Sequence, residues 1–250
     1  MKKKLNFKNV FYVFLLVIFS AMFLYSGYKI ICYLIDNKNN RDLKNKTEEY
    51  IDINDQATKI EDKYKIDWEK LREHNPNTIA FLKVNGTNID YVVVKGNDNS
   101  YYLRRTFDRT WNASGWIFAD YRNKFDGTDK NIIIYGHNTK DGSMFGTLKD
   151  TLTESWQSKP ENRRIELVTD QGKYIYEVFS TYISSPEEYY ITTYFGDIDF
   201  NSFIKEMAAR SNKDYGVDLN DVSSILTLST CSDNLADRVV LHAKLIEKSE

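Results

Sequence analysis

An uncharged apolar run near the N-terminus constrains this chain more than any other feature. It extends from Val10 to Tyr28 and contains 19 residues. As a helix it would span about 28 Å, close to the hydrocarbon thickness of a bilayer. Apolar residues resume after Lys29, whose amine can reach the outer interface, so the predicted transmembrane anchor covers residues 10–35. Lysines precede the run within residues 1–9, which predicts a cytoplasmic N-terminus with the remainder of the chain outside the cell.

The alternative is a cleaved signal peptide, which also begins with a basic segment. The apolar run is long for the core of such a peptide, and no small-residue cleavage site follows it at Gly27-Tyr28-Lys29-Ile30. An uncleaved anchor is therefore the preferred interpretation. It puts Cys32, in or beside the anchor, apart from Cys231 near the C-terminus, so no disulfide is expected between them.

The segment after the anchor, residues 36–50, is rich in Asn, Lys and Asp and predicts a solvated linker that can be helical. Residues 51–250 are then expected to form the folded domain. Near its start, apolar residues recur at steps of three and four, which predicts a single helix ended by Asn75-Pro76. Its apolar face would consist of Ala57, Ile60, Tyr64, Trp68 and Leu71.

From Ile79 onward the pattern changes to short β-type runs separated by turn residues. Asn85-Gly86 is a strong hairpin signal, because both residues tolerate positive φ. Strands are predicted at residues 81–84, 89–94, 115–119, 131–135, 164–168, 174–183, 224–230 and 238–246. About eight short strands with turn signals predict an antiparallel β-barrel or β-sandwich.

One helix is predicted inside the long connection formed by residues 184–221. Asp199 is its expected N-cap, and an apolar face follows at helical spacing, made of Phe200, Phe203, Ile204 and Met207. Long connections in compact domains are often functional, but a helix that plugs one end of a barrel is an equal alternative.

Charge and motif content exclude several classes of function. The net charge of −2 and the absence of an arginine-rich stripe do not favour nucleic acid as a partner. The sequence has no Cys-x-x-Cys, no His-x-x-x-His and no phosphate-binding glycine loop. Neither a metal nor a cofactor is expected.

The residues with the clearest chemical potential lie at the ends of predicted strands. Cys231 ends one strand, and a thiol is the best side-chain nucleophile near neutral pH, since a pKa of about 8.5 leaves a few per cent as thiolate. His137 follows another strand and Gly136, a position where a rigid scaffold presents catalytic groups. Arg238 begins the strand after the Cys231 turn, so it can point back and meet charge that develops on an attacked carbonyl oxygen.

Each of these residues also has a structural interpretation. A lone cysteine is usually a small buried hydrophobe, and an arginine at the rim of a barrel often forms a salt bridge. Of the other histidines, His74 is expected to interact with the C-terminal dipole of its helix, and His242, inside a strand, is expected to be structural.

Several stretches together resemble the sortases of Gram-positive bacteria. The run Thr227-Leu228-Ser229-Thr230-Cys231, followed shortly by Arg238, is one, and Tyr135-Gly136-His137-Asn138 upstream is another. Resemblance to class B in particular extends over about residues 67–250. It is carried by Asn75-Pro76, Asn99-Ser100-Tyr101-Tyr102-Leu103, Gly115-Trp116-Ile117-Phe118-Ala119-Asp120 and Asp141-Gly142-Ser143-Met144-Phe145-Gly146.

The resemblance implies a mainly β fold, a closed eight-stranded sortase barrel with an N-terminal helical region and one helix before the Cys231 strand. It implies a transpeptidase that cleaves the C-terminal sorting motif of secreted proteins after Thr and passes them to an amine of a lipid-linked peptidoglycan precursor. Cys231 would be the nucleophile, His137 the acid and base, and Arg238 the carbonyl clamp. Ser229, Thr230 and Asn138 would contact the substrate.

Three alternatives stay open at the level of sequence. The same Cys-His-Arg site would serve a hydrolytic cysteine protease, or a pilin polymerase that joins subunits through lysine. A membrane-tethered binding module with a buried cysteine would need none of this chemistry. The sequence does not identify the sorting motif, the anchored proteins or the acceptor amine.

Overall fold

The computed structural model describes residues 7–231 and 237–249, and for Phe7 and Cys231 it describes the main chain alone. Eight strands close into a barrel, preceded by a long helix and a small two-stranded sheet. The helices are α1 (Phe7–Glu48), α2 (Ile60–Lys63), α3 (Trp68–His74), α4 (Glu154–Gln157) and α5 (Phe200–Ala209). The strands are β1 (Ile51–Ile53), β2 (Tyr64–Ile66), β3 (Thr78–Val84), β4 (Asp90–Lys95), β5 (Phe118–Ala119), β6 (Asn131–His137), β7 (Arg164–Val168), β8 (Lys173–Ser184), β9 (Ile225–Cys231) and β10 (Arg238–Ser249).

The order of strands around the barrel is β10-β8-β7-β3-β4-β5-β6-β9. The prediction of a closed eight-stranded barrel is confirmed, but the expectation that it is antiparallel throughout is wrong. The β4–β5 and β6–β9 pairs are parallel. A parallel pair needs a long connection between its two strands. Such connections separate β4 from β5 and β6 from β9.

The predicted hairpin joins β3 and β4, and Gly86 at its turn has φ of 69°. A side chain at this position would also meet the Asn162 side chain within 2.4 Å. Glycine is therefore required at this turn both by its backbone angle and by the space available.

The apolar run forms the first half of α1, a helix of 42 residues. Within the described residues, α1 is the one helix long and apolar enough to cross a membrane, and its most apolar window has none of its residues buried in the protein. Phe23 is 78% exposed, for example. Such a surface is unstable in water but suits a lipid environment.

The second half of α1 does not behave as the solvated linker that was predicted for residues 36–50. One face packs on the barrel domain and is buried, and it contains Asp36, Asn37, Asn40 and Thr47. The Asn112 side chain donates to the Asp36 carbonyl oxygen at 3.0 Å, and the Ala113 amide donates to the Asp36 carboxylate at 3.0 Å. The polar composition reflects hydrogen bonding to the domain, because a polar helix face can be buried where its groups are paired.

The single helix predicted over Ala57 to Leu71 is wrong. The chain forms the short α2, then β2, which pairs with β1, and then α3. Asp67 starts α3 anew, because its side chain accepts a hydrogen bond from the Lys70 amide at 3.1 Å. The apolar residues Ile60, Tyr64 and Leu71 do face inward, but three short elements present them.

Helix α5 packs on the outside of β8 and β10, with Phe203, Ile204 and Met207 buried. Its predicted cap is confirmed, since the Asp199 carboxylate accepts from the Ser202 amide at 2.8 Å. The Ser180 hydroxyl of β8 donates to the Met207 carbonyl oxygen at 2.6 Å and ties the helix to the barrel. The helix therefore covers a barrel wall.

Candidate active site

The parallel pair β6 and β9 brings two of the predicted catalytic residues together. Their register runs from Asn131 opposite Ile225 to His137 opposite Cys231. Paired strands lie about 4.8 Å apart, so the main chains of His137 and Cys231 are direct neighbours at one edge of the barrel. The Cys231 side chain lies outside the described part of the chain, as do residues 232–236.

Gly136, just before His137, allows this edge to pack closely. A Cβ there would lie 2.5 Å from Ile117 Cδ1 and 2.7 Å from Phe145 Cγ, much closer than side-chain atoms approach each other. Any larger residue would push the end of β6 away from the core. Glycine at this position therefore lets the end of β6 pack on the core and sets the position of His137.

The His137 ring is almost fully buried, with 6% of the residue exposed. Its Nε2 lies 2.8 Å from the carbonyl oxygen of Leu103. A carbonyl oxygen only accepts, so Nε2 carries the proton in this contact, and in the neutral ring Nδ1 keeps the lone pair. A histidine held this way can take up and release a proton at Nδ1 while Nε2 anchors the ring.

Arg238 is the first residue of β10 and is opposite Ser184 of β8. The Val239 amide donates to the Thr230 hydroxyl at 3.0 Å, which joins the end of β9 to the start of β10. Thr230 and Arg238 both line one groove on this face of the barrel. The structure therefore places Arg238 on the same edge as His137 and Cys231.

The groove has a volume of about 430 Å³. Ser229, Thr230 and Arg238 line it, together with residues from four other segments of the chain. The remaining lining residues are Asn99, Leu103, Phe118, Tyr135, Pro186, Glu187, Glu188, Tyr190 and Ile191. The sequence did not predict the walls, because their residues come from segments far apart in the chain that only the fold brings together.

The wall residue Tyr190 contacts the floor directly, with its hydroxyl 3.1 Å from the Ser229 hydroxyl. Asn138, also predicted to bind substrate, is exposed and pairs with Met144 beyond the His137 edge. It is not among the residues that line the groove. Of the three predicted substrate contacts, the structure therefore groups Ser229 and Thr230 and sets Asn138 apart.

The buried carboxylate of Asp120 lies beneath the groove and links the segments that line it. Asp120 is fully buried and accepts from Arg122 Nε at 2.8 Å and Nη2 at 2.7 Å. It also accepts from the Tyr135 hydroxyl and the Asn99 amide, each at 2.8 Å. Burial alone would raise the pKa of Asp120, but these hydrogen bonds, led by those from Arg122, outweigh it and lower the pKa.

Arg122 extends this network to the opposite wall. Its Nη2 also donates to the Ile191 carbonyl oxygen at 3.0 Å. One bidentate ion pair thus links the floor at Tyr135 to the wall at Ile191. Asp120 belongs to the stretch Gly115–Asp120 that carries the class B resemblance, but its role in the groove depends on contacts that no sequence pattern displays.

The other two histidines lie away from this edge. The His74 ring is at the end of α3, with Nε2 3.1 Å from the Tyr50 hydroxyl. His242 is fully buried in β10 between Tyr182 and Thr227, and burial, with a smaller effect of Arg210, lowers its pKa to about 3. Among the described residues, no group of three or more His, Cys, Asp or Glu side chains is arranged to hold a metal ion.

Comparison with known proteins gives a consistent result. Residues 82–246 match the model of the sortase domain family. Sortase B of Staphylococcus aureus is 32% identical over 255 aligned residues, which cover 100% of this chain and 99% of that protein.

Solved structures agree. Sortase B of Bacillus anthracis, in complex with AAEK1, superposes with a TM-score of 0.73 at 31% identity, over 86% of this chain and 99% of that one. A Staphylococcus aureus sortase B–substrate complex superposes with a TM-score of 0.64 at 35% identity, over 72% of this chain and 84% of that one.

Proposed function

Because this chain belongs to the sortase family and is of the class B type, we propose that it cleaves a C-terminal sorting motif after Thr and joins the protein to an amine of the peptidoglycan cross-bridge. The observation that carries the proposal is the parallel register that pairs His137 with Cys231. The groove lined by Ser229, Thr230 and Arg238 opens beside this pair and has room for a short extended peptide.

In the first half of the reaction, the Cys231 thiolate attacks the carbonyl carbon of the scissile peptide bond and forms a C–S bond. The tetrahedral intermediate collapses, the C–N bond breaks and a thioester remains on the enzyme. His137 gives its proton to the departing amine, which leaves as a neutral group. This proton comes from the Cys231 thiol, which passes it to Nδ1 when the thiolate forms, because Leu103 holds Nε2.

In the second half, the amine of the lipid-linked precursor attacks the thioester carbon. His137 takes a proton from the attacking amine, an amide bond forms and the thiolate leaves. In both halves the carbonyl oxygen gains negative charge, which the Arg238 guanidinium stabilises. Ser229 and Thr230 contact the motif within the groove, and Asn138 contacts the segment that leaves beyond the His137 edge.

The N-terminal helix gives this reaction its location. We infer a single membrane crossing within residues 10–35, with residues 1–9 in the cytoplasm and the catalytic domain on the outer surface. A secreted substrate and a lipid-linked amine both arrive at that surface, so anchoring raises their effective concentration at the groove.

The proposal is tested with the full chain reconstituted in nanodiscs. A peptide library varied around a Pro-x-Thr core is offered with and without an oligoglycine or diamino-acid amine. Mass spectrometry should detect an acyl group on Cys231, and the product should change from free acid to amide when the amine is present. Release of free acid at the same rate in both cases would contradict transpeptidation and favour a hydrolase.

Matched variants separate catalysis from folding. Cys231→Ala and His137→Ala should abolish turnover, while Cys32→Ala and His74→Ala, at residues away from the groove, should turn over as the wild type does. Full activity in Cys231→Ala would remove the basis of the mechanism.

A further inference from the structure

A short hairpin beside the groove projects from the domain. Arg105 and Trp111 form its base as an antiparallel bridge. The Arg109 amide donates to the Thr106 carbonyl oxygen at 2.9 Å, and Arg109 adopts a positive φ of 63° at the tip. Trp111 is 63% exposed. An indole left this open to water is unusual for a large aromatic side chain, and neither the core nor the groove uses it.

The hairpin ends where α1 docks on the domain. Asn112, the residue after Trp111, hydrogen-bonds to Asp36, the first residue beyond the predicted anchor. The covered face of α1 begins even earlier, since the Tyr33 hydroxyl is buried while Ile31 and Leu34 around it are exposed. The domain therefore contacts the helix already inside its apolar part.

The rise per residue of a helix gives the height of this contact above the bilayer. If the hydrocarbon ends at Tyr28, then Tyr33 lies about 7.5 Å and Asp36 about 12 Å further along the axis, at a rise of 1.5 Å per residue. The headgroup layer on one side of a bilayer is about 5–8 Å thick. If the apolar residues 30–35 also enter the membrane, both positions lie deeper still. The edge of the domain that carries Trp111 therefore lies a few ångströms above the headgroup layer, within reach of a large side chain, or inside that layer if residues 30–35 enter the membrane.

The side chains of the hairpin are of the types that favour the headgroup layer. Residues 104–111 contain three arginines, one aspartate and the exposed indole. Arg105 stacks over the Tyr101 ring at 5.4 Å, so its planar group lies beside a second, 40% exposed aromatic. Tryptophan and tyrosine concentrate at membrane interfaces, and cationic side chains are attracted to anionic headgroups.

We propose that the hairpin of residues 105–111 is a second membrane contact, in which Trp111 inserts among the headgroups and Arg105 and Arg109 bind anionic phospholipid. This inference rests on the proposed membrane anchoring by α1. Since Leu103 lies two residues before the hairpin and holds His137, the contact fixes the orientation of the histidine side of the groove relative to the bilayer.

Fluorescence quenching tests the contact in the full chain. The protein is reconstituted in phosphatidylglycerol nanodiscs whose lipids are brominated on the acyl carbons next to the headgroup. Bromine should quench part of the tryptophan emission in the wild type, and Trp111→Phe should remove that component. Trp116 and Trp156 are buried and should not respond.

Trp68→Phe is the matched control. Trp68 begins α3 beside Tyr50, whose carbonyl oxygen accepts from the Asp67 amide, so it lies near the far end of α1. That end is about 30 Å from Tyr28 along the helix, beyond the reach of interfacial bromine. Quenching should persist in Trp68→Phe, and cleavage of a soluble peptide should be retained in both variants.

A charge variant tests the lipid preference. Arg109→Gln in phosphatidylglycerol, or wild type in phosphatidylcholine, should lose part of the Trp111 quenching, and equal quenching in all three would overturn the role of the arginines. Quenching that survives Trp111→Phe would overturn the whole inference. Failure of the wild type to co-float with vesicles would instead contradict the anchor itself, and with it the contact that rests on it.

Discussion

Protonation of His242 should set the acid limit of this fold. The Thr227 hydroxyl donates to the Asn131 side-chain oxygen at 2.7 Å, so it accepts from His242 Nδ1 at 2.9 Å. The Tyr182 hydroxyl then faces the Nε2 lone pair at 3.0 Å. The neutral ring is thus satisfied on both nitrogens, and a second proton would put an unneutralised charge in the core, near the Arg210 cation.

The size of the effect follows from the lowered pKa. The folded protein protonates His242 at a pKa of about 3, and an unfolded chain protonates histidine at about 6.5. Between these values the unfolded state binds more protons, so stability is complete above about pH 6.5 and falls by about 1.4 kcal/mol for each pH unit below it. From about pH 7.5 to about pH 4.5, protonation of His242 alone should lower the free energy of unfolding by about 3 kcal/mol, out of the roughly 5–15 kcal/mol typical of a domain.

Urea unfolding of the full chain in micelles, followed by tryptophan fluorescence, measures this slope. His242→Gln removes the titration, and although it lowers stability at neutral pH, its free energy of unfolding should fall less steeply with acid, by about 1.4 kcal/mol per unit. The loss matters for catalysis because Thr227 and Asn131 belong to the strands that end in Cys231 and His137. Parallel slopes for wild type and His242→Gln would refute the reasoning.

Three further changes test the site itself. Asp120→Asn should raise KM about tenfold with a smaller change in kcat, because Arg122 loses the carboxylate that links the groove floor to its wall; unchanged steady-state kinetics would contradict this. Gly136→Ala should lower stability by about 1–3 kcal/mol in thermal unfolding, because its Cβ would collide with Ile117. Arg238→Lys should lower kcat/KM about a hundredfold or more, because lysine lacks the planar fork that fixes a carbonyl oxygen, and an unimpaired variant would remove Arg238 from the proposed mechanism.

Most of the barrel could be predicted from local patterns. The strand predicted at residues 164–168 coincides with β7, and Asn85-Gly86 forms the turn of the β3–β4 hairpin. Both could be predicted because the alternation of a strand and the residue types of a turn depend on neighbouring residues alone. The parallel partners of β6 and β4 could not be predicted, since strand pairing across long connections leaves no local signal. The two-residue β5 is too short to show a period at all.

The candidate site likewise contains residues that the sequence predicts and residues that it does not. His137 and Arg238 were predicted from their places at strand ends, and the structure brings both to the edge where Cys231 ends its strand. The Asp120–Arg122 pair was missed, because two charges two residues apart predict a solvated surface unless burial is known. The helix predicted from Ala57 is wrong because an apolar spacing of three and four also occurs where several short elements, here α2, β2 and α3, face one core.

The docking of α1 on the domain gives the enzyme a fixed reach. Arg41 lies 3.2 Å from Asp141, on the loop that follows His137, so this level of the helix marks the height of the reacting edge. It is about 20 Å along the axis from Tyr28. If α1 crosses the membrane as proposed, a substrate that is itself held in the membrane must bridge that gap with at least about six extended residues. Helix α1 thus sets a minimum length for the spacer between the sorting motif and the membrane. Sorting signals with a shorter spacer should be cleaved poorly, whatever their motif.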